Sequence, residues 1–355
     1  MRSRNNCGVL EVRKVLVAKQ VREKLCATFL LFACGVINHK GAIPHRMEFY
    51  MELTVNKICK SFGEKQVLKD VSFTATAGEA LGYLGRNGAG KTTSIRIIAD
   101  IFRADSGEIL LDGKPLDRTK IRLGYLPEER GLYPKSKVGE QMIYIAELRG
   151  MKRADAKKSA QALLEKLEAM EYWDKKLETL SKGNQQKIQL AIAVLHNPDI
   201  VILDEPFSGL DPVNAAMLRD LVSEQVAMGK LVMFSSHEMS YVEQFCEHVC
   251  IINKGQVALD GRIKEIKRSY PRNNISILAE NGAATMLEQS VSGNNEWQSI
   301  VNSAKIEGED LIVTLSNAND KGKLMQILAA QPVGIDSVRV IEPSLEEIFV
   351  ETAGN

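Results

Sequence analysis

Eight consecutive residues, Gly85-Arg86-Asn87-Gly88-Ala89-Gly90-Lys91-Thr92, combine three glycines with a lysine and a hydroxyl. They match G-x-x-x-x-G-K-[ST], with Gly85, Gly90, Lys91 and Thr92 at the fixed positions. The chemistry implied is capture of a triphosphate. Glycines let backbone N–H groups turn inward around phosphate oxygens, the lysine reaches the outer phosphates, and the threonine hydroxyl can ligate Mg²⁺. A short apolar strand, Ala80 to Leu84, precedes the loop, and an amphipathic helix, Thr93 to Ala99, follows it. The positive end of that helix dipole then faces the anion. The pattern predicts nucleoside triphosphate binding and leaves open what the energy is used for.

A second constellation lies downstream. Ile200-Val201-Ile202-Leu203 is an apolar run of the kind a fully buried strand gives, and it ends in Asp204-Glu205-Pro206. The first acid can hold Mg²⁺, directly or through water. The second stands one residue on, where it can polarise a water for attack on the γ-phosphate. Leu180-Ser181-Lys182-Gly183-Asn184 has the form of a loop opening a helix, with Ser181 as its cap and an anion-facing hydroxyl. Ser208-Gly209-Leu210-Asp211-Pro212 reads as a tight turn. His237 follows the strand Leu231 to Ser235, at the carboxyl edge where parallel sheets bind ligands.

The elements needed to hold these groups follow from the pattern. From Met51 strands and helices alternate as in parallel α/β folds, with strands at Leu53–Cys59 and Gln66–Ala75 around Gly63-Glu64. Between about 128 and 182 the strands stop. Helices are expected at 138–149 and 155–170, with Leu163, Leu164, Leu167 and Met170 on one face. A hairpin, Val249 to Leu259, turns at Lys254-Gly255. Beyond about Pro271 a small α+β domain is expected, with strands at 275–278, 311–315 and 338–341 and helices at 322–330 and 344–351. The reading is an ATPase domain over 51–270, its helical subdomain near 128–182, and an accessory domain over 271–355.

The 355 residues are 45% apolar and 26% charged with net charge +1, which gives no electrostatic reason to bind nucleic acid. Six cysteines form no CxxC pair, as suits a reducing compartment. Cys246, His248 and Cys250 read as packing at a helix-to-strand junction, since a metal site wants four ligands. The longest apolar run, Leu25 to Ile37, has 13 residues, too few to span a bilayer. It resembles the core of a signal peptide, but a machine driven by ATP belongs where ATP is. Residues 1–50 carry nine Lys/Arg against three Asp/Glu. They are expected to form no structured element, as an upstream start codon called in error would produce.

In order, GRNGAGKT, LPEERGLYP, LSKGNQQK, VILDEPFSGLDP and SSHEM resemble the ATP-binding subunit of an ABC transporter over about residues 51–270. The ending PSLEEIFVE resembles the C-terminal domain of a subgroup that includes Nat-type sodium-efflux ATPases and bacterial drug or peptide exporters. The resemblance implies a P-loop NTPase fold, a RecA-like α/β core with a helical insertion and an antiparallel β subdomain. It implies ATP and Mg²⁺ as cofactors. Phe62 would stack on adenine; Gly85, Arg86, Asn87, Gly88, Ala89, Gly90, Lys91, Thr92 and Thr93 would surround the phosphates. Thr92 and Asp204 would hold Mg²⁺, Glu205 would be the general base, and His237 would contact the γ-phosphate. Two ATPase subunits, identical or not, would dimerise head to tail, with Ser181 and Gly183 closing over the partner's ATP and Asp211 on the seam. A separate integral membrane permease would carry the cargo, with this chain peripheral on the cytoplasmic face of the membrane and no nucleic acid involved.

Two departures stand out. Lys182 and Asn184 replace a glycine and the glutamine of the usual L-S-G-G-Q, and Glu128 stands where a glutamine senses Mg²⁺ and the attacking water. A soluble ATPase acting on ribosomes or DNA would carry a second ATPase domain, zinc CxxC modules or a long coiled coil, and none is in the sequence. A small-molecule P-loop kinase does not account for LSKGNQQK or His237.

Overall fold

In the computed structural model of the protein, the described residues are 51–129, 131–293 and 295–353. The expectation for residues 1–50 lies outside them. The described residues open with β1 (Glu52–Phe62) and β2 (Lys65–Thr76), an antiparallel hairpin turned at Gly63-Glu64. With β4 (Ser106–Leu111) and β5 (Lys114–Pro115) they form a sheet of order β2-β1-β4-β5.

The central sheet contains β3 (Ala80–Leu84), β6 (Leu123–Leu126), β7 (Ile200–Asp204), β8 (Leu231–Ser236), β9 (His248–Asn253) and β10 (Gln256–Arg262), in the order β10-β9-β3-β8-β7-β6. β10 pairs antiparallel with β9, and the other neighbours are parallel. Every residue of β7 and β8 is buried, because a parallel sheet is covered on both faces. Ile200 and Ile202 pack with α1 (Lys91–Ile98) and the antiparallel sheet. Val201 and Leu203 alternate to the opposite face. That face is covered by α2 (Val138–Leu148), α3 (Arg153–Lys166), α4 (Lys182–Val194), α5 (Pro212–Ala227), α6 (Met239–Phe245) and α7 (Ile263–Ser269). The helical insertion is present as α2 and α3, with Leu164 and Leu167 buried.

Downstream, β11 (Asn274–Ala279), β12 (Val301–Glu307), β13 (Asp310–Leu315) and β14 (Ile335–Val340) form an antiparallel sheet of order β12-β13-β11-β14. It lies against α8 (Ala284–Gly293), α9 (Asn295–Gln298) and α10 (Lys321–Ala329), with Trp297, Leu287, Leu324 and Val313 in the shared core. The last helix, α11 (Leu345–Ala353), does not join that core. Leu345, Ile348 and Ala353 are buried in the cluster beneath the central sheet. Burial of a Leu or Ile side chain contributes about 1.5–3 kcal/mol, enough for two such residues to hold a short helix against the body.

The order β9-β3-β8-β7-β6 has a direct consequence for the site. The parallel strands end at one edge of the sheet, so the segments that follow them become neighbours although they lie far apart in sequence, as the loop after β3 and the turn after β9 do.

Candidate active site

The loop after β3 is held in shape by close backbone approaches. Gly88 and Gly90 adopt left-handed φ values of 79° and 112°. A Cβ on Gly90 would lie 2.6 Å from Leu68 Cδ2, and one on Gly85 would lie 2.6 Å from the Ile252 carbonyl oxygen. The Gly255 N–H, in the turn between β9 and β10, donates to the Ala89 carbonyl at 3.0 Å. A Cβ on Gly255 would lie 2.2 Å from the Val67 carbonyl oxygen, so the turn is also pressed against β2. The α1 N-cap is Gly90, with no side-chain cap, leaving first-turn N–H groups available to an anion. Lys91 is buried and its Nζ donates to the Gly85 carbonyl at 2.6 Å, across the mouth of the loop.

The other strand ends complete the cleft. Glu205, just after β7, is buried and has a left-handed φ of 51°, a strained conformation of the kind that clusters at functional sites. Its N–H donates to Ser235 Oγ, which donates to Asp204 Oδ1 at 2.5 Å. Asp204 is fully buried, and its Oδ2 has no hydrogen-bond partner among the described residues. A lone carboxylate oxygen in such a place is costly unless a cation or ordered water meets it. The Asp204 carboxylate and the Thr92 hydroxyl are hard oxygen donors of the kind Mg²⁺ takes; Thr92 lines the smaller cavity, and Asp204 lies behind the walls. His237, just after β8, places Nδ1 2.7 Å from Glu205 Oε2, and its backbone N–H donates to the same oxygen at 3.3 Å. Burial, then the negative charges of Asp204 and Glu128, raise the Tyr125 phenol above its ordinary pKa, so it stays neutral behind these acids.

Two adjoining cavities of about 850 and 490 Å³ run along this edge and share Arg86, Asn87, Gly88, Glu128, Glu205 and Lys254 as walls. Gly85 and Ala89 line the larger; Gly90, Lys91, Thr92 and Thr93 line the smaller. The structure thus brings together the whole phosphate loop, Glu128, Glu205 and His237. Phe62 is not one of the walls. Its exposed ring meets Phe102 edge-on at 5.6 Å, and in the β1–β2 hairpin it pairs with Lys65, which is a wall. Ser181 and Gly183 also lie outside the walls. Ser181 caps α4, accepting from the Asn184 N–H at 3.3 Å, and Asn184 Nδ2 donates to Tyr172 Oη at 2.8 Å. Asp211 caps α5 in the same way, and the hydrogen bond from the Asn214 N–H, foremost, lowers its pKa.

Sequence reasoning missed Lys65, Gln66, Val67, Met239, Asn253, Lys254, Phe349 and Ala353 as walls. The hairpin turn at Lys254 was legible. Its adjacency to the loop depends on β9 pairing with β3, which no local pattern encodes.

Residues 68–208 match the family described as ABC transporter, and residues 261–353 match the domain described as ATP-binding protein DrrA1-3-like, C-terminal domain. The chain is 39% identical over 303 residues to the uncharacterized ABC transporter ATP-binding protein YhaQ of Bacillus subtilis (strain 168), covering 85% of this chain and 98% of that protein. It belongs to the ATP-binding proteins of ABC transporters. The linearmycin resistance ATP-binding protein LnrL of the same organism is 30% identical over 316 residues, covering 85% of this chain and 98% of that protein. A solved ATP-binding subunit of an ABC transporter superposes with a TM-score of 0.57 at 29% identity, over 61% of this chain and 92% of that one. This ABC protein is accordingly an ATP-binding and ATP-hydrolysing protein of the P-loop fold.

Proposed function

We propose that this ABC ATPase binds ATP along the Gly85–Thr93 edge and cleaves it with Glu205 as general base. The supporting observation is the Glu205–His237 pair. A buried carboxylate at the end of β7 is held by the imidazole and backbone N–H of the next strand's loop, on a wall shared with the phosphate loop. Lys91 and the first-turn N–H groups of α1 hold the phosphates. Glu205 then accepts the proton of the attacking water, and His237 orients the carboxylate and meets the γ-phosphate. Thr92 and Asp204 would hold Mg²⁺, which, when bound, neutralises charge on the phosphate oxygens, with Glu128 beside it. Phe62 stacks on adenine from its exposed place beside Lys65.

Ser181 and Gly183 are read as serving the ATP of a second ATPase subunit, the same chain or a paralogue. Ser181 is exposed at the start of a helix and stands apart from this chain's own cavities, which supports that reading. We assign the ATPase domain to 51–270 and the accessory domain to 271–355, with its final helix α11 returned to the ATPase core. Among the described residues no helix is long and apolar enough to cross a membrane, in keeping with a peripheral subunit working on the cytoplasmic face with a separate permease. The work proposed is export. The cargo is Na⁺ or a drug or peptide; the likeness to LnrL, whose name records linearmycin resistance, is in keeping with a drug.

Co-purification of this chain from membranes identifies the multi-span protein it pairs with, and vesicles carrying the two together test the proposal. ATP-dependent movement of a drug, a peptide or ²²Na⁺ should appear with the wild type and vanish with Glu205→Gln. ATP hydrolysis with no membrane partner recovered, and no transport of any of the three, would overturn the transport reading.

A further inference from the structure

One wall of the larger cavity comes from the far end of the chain. Phe349 and Ala353 of α11 line it together with His237 and Met239. Phosphate chemistry has no use for an aromatic ring there, so its presence calls for another account. Along α11 the inward positions are Leu345, Ile348, Phe349, Thr352 and Ala353, at the spacing of a single helical face. That face packs on α6, β9 and β10.

The start of α11 is fixed twice. The Glu347 N–H donates to Ser344 Oγ at 3.2 Å and the Ser344 N–H donates to Glu347 Oε2 at 2.8 Å, a reciprocal capping box. Glu243, on α6, accepts from the Leu345 N–H at 3.1 Å and pairs through its other oxygen with Lys267 on α7. Its negative charge also suits the positive end of the helix dipole. The opposite side of α6 is held as well: Tyr241 stacks on Phe207 at 4.8 Å between ring centres, and Phe207 lies two residues after Glu205. The helix that starts two residues after His237 is therefore gripped between the Glu205 segment and α11.

We propose that Phe349 is a positioning residue for ATP hydrolysis. By filling the wall beside Met239 at the start of α6, it keeps His237 within hydrogen-bond distance of Glu205. Turnover thereby depends on the accessory sheet, which is strung between α7 and α11 and can shift α11 only by loosening that grip. The inference rests on the roles given above to Glu205 and His237.

The test is a double-mutant cycle on the full chain with Phe349→Ala, His237→Ala and both together, reading kcat, KM for ATP and binding of a fluorescent ATP analogue. A displacement of about 1 Å at a positioned group costs up to ~10²-fold in rate. Phe349→Ala is expected to lower kcat about tenfold while KM and analogue binding stay within about twofold. Phe349→Leu should restore most of the rate, and Val350→Ala, exposed on the same helix, should match the wild type. Phe349→Ala should add nothing once His237 is gone. Unchanged kcat in Phe349→Ala, or a full multiplicative loss in the double variant, overturns the inference and leaves the site reading intact. Wild-type kcat in His237→Ala overturns the site reading itself, whatever Phe349 does. A loss of analogue binding equal to the loss of rate would make Phe349 merely structural and also overturn the inference.

Discussion

The two sides of the nucleotide cleft are built on different plans. The phosphate-loop side is one contiguous segment, Gly85 to Thr93, whose shape depends on glycine at positions pressed against neighbouring backbone and side chains. The opposite side collects Glu128, Glu205, His237 and Phe349 from the ends of three strands and a helix near the carboxyl terminus. A contiguous wall holds a ligand with groups set by local geometry. An assembled wall responds to anything that moves the elements supplying it. Substitutions on the first side should impair binding, and substitutions on the second should impair turnover.

The largest effect tests the assembled side. Glu205→Gln should bind the ATP analogue as the wild type does and lose about 10²–10⁴-fold in hydrolysis rate, with the ATP-bound dimer accumulating in a mass measurement. Wild-type turnover would remove Glu205 from the role of base. Gly90→Ala probes the contiguous side. Its φ of 112° strains any residue with a side chain, and a Cβ 2.6 Å from Leu68 Cδ2 would push that side chain aside. Backbone strain of this kind costs about 1–3 kcal/mol, so analogue affinity should fall roughly 5- to 150-fold. If kcat at saturating ATP falls as far as affinity, the division between the two sides fails.

Acid should loosen the assembled side through β6, which leads to Glu128. His196, at the end of α4, is hydrogen-bonded to the Leu123 carbonyl of β6 at 3.2 Å. Burial, then the Arg149 cation, depress its pKa from 6.5 to about 4. The unfolded chain takes up this proton first, so the stability tied to neutral His196 is present above pH 6.5 and is lost as pH falls toward 4. The loss is about 2 kcal/mol, read as the drop in urea midpoint between pH 7 and pH 4.5. His196→Gln should flatten that dependence, and an unchanged pH slope would contradict it.

The smallest effect concerns Glu128. A carboxylate binds a hard cation more tightly than an amide but places negative charge near the γ-phosphate. Glu128→Gln should raise the Mg²⁺ concentration for half-maximal hydrolysis by about two- to fivefold, leaving the saturated rate equal or higher. An identical Mg²⁺ titration would mean that Glu128 does not act on the metal and faces solvent or a membrane partner instead.

Legibility in the sequence follows the same division. GRNGAGKT was readable because each residue type answers a local demand. The apolar runs of β7 and β8 were readable because burial on both faces confines polar residues to their carboxyl ends, Asp204 and Ser235-Ser236. β12 escaped notice because most of its residues are exposed, and β4 because its apolar residues, Ile109 to Leu111, are only partly buried. The helix at 344–351 was expected, but its partner was not. Periodicity defines an apolar face, and the face of Leu345, Ile348 and Ala353 suits any apolar surface; only the tertiary fold seats it beneath the central sheet. Strand order, which makes neighbours of Gly85, His237, Glu205 and Glu128, likewise leaves no trace in local composition.

The turn at Gly255, locked against Ala89 and Val67, bears on kinetics. Because the Gly255 turn holds the Ala89 carbonyl of the loop in the folded chain, capture of the nucleotide need not wait for the loop to organise. Little conformational entropy is then lost on association. Association with ATP should be a single-step, concentration-linear process. The slow conformational events of the catalytic cycle then belong to the opposite side of the cleft, where α6 and α11 can rearrange without disturbing the bound phosphates.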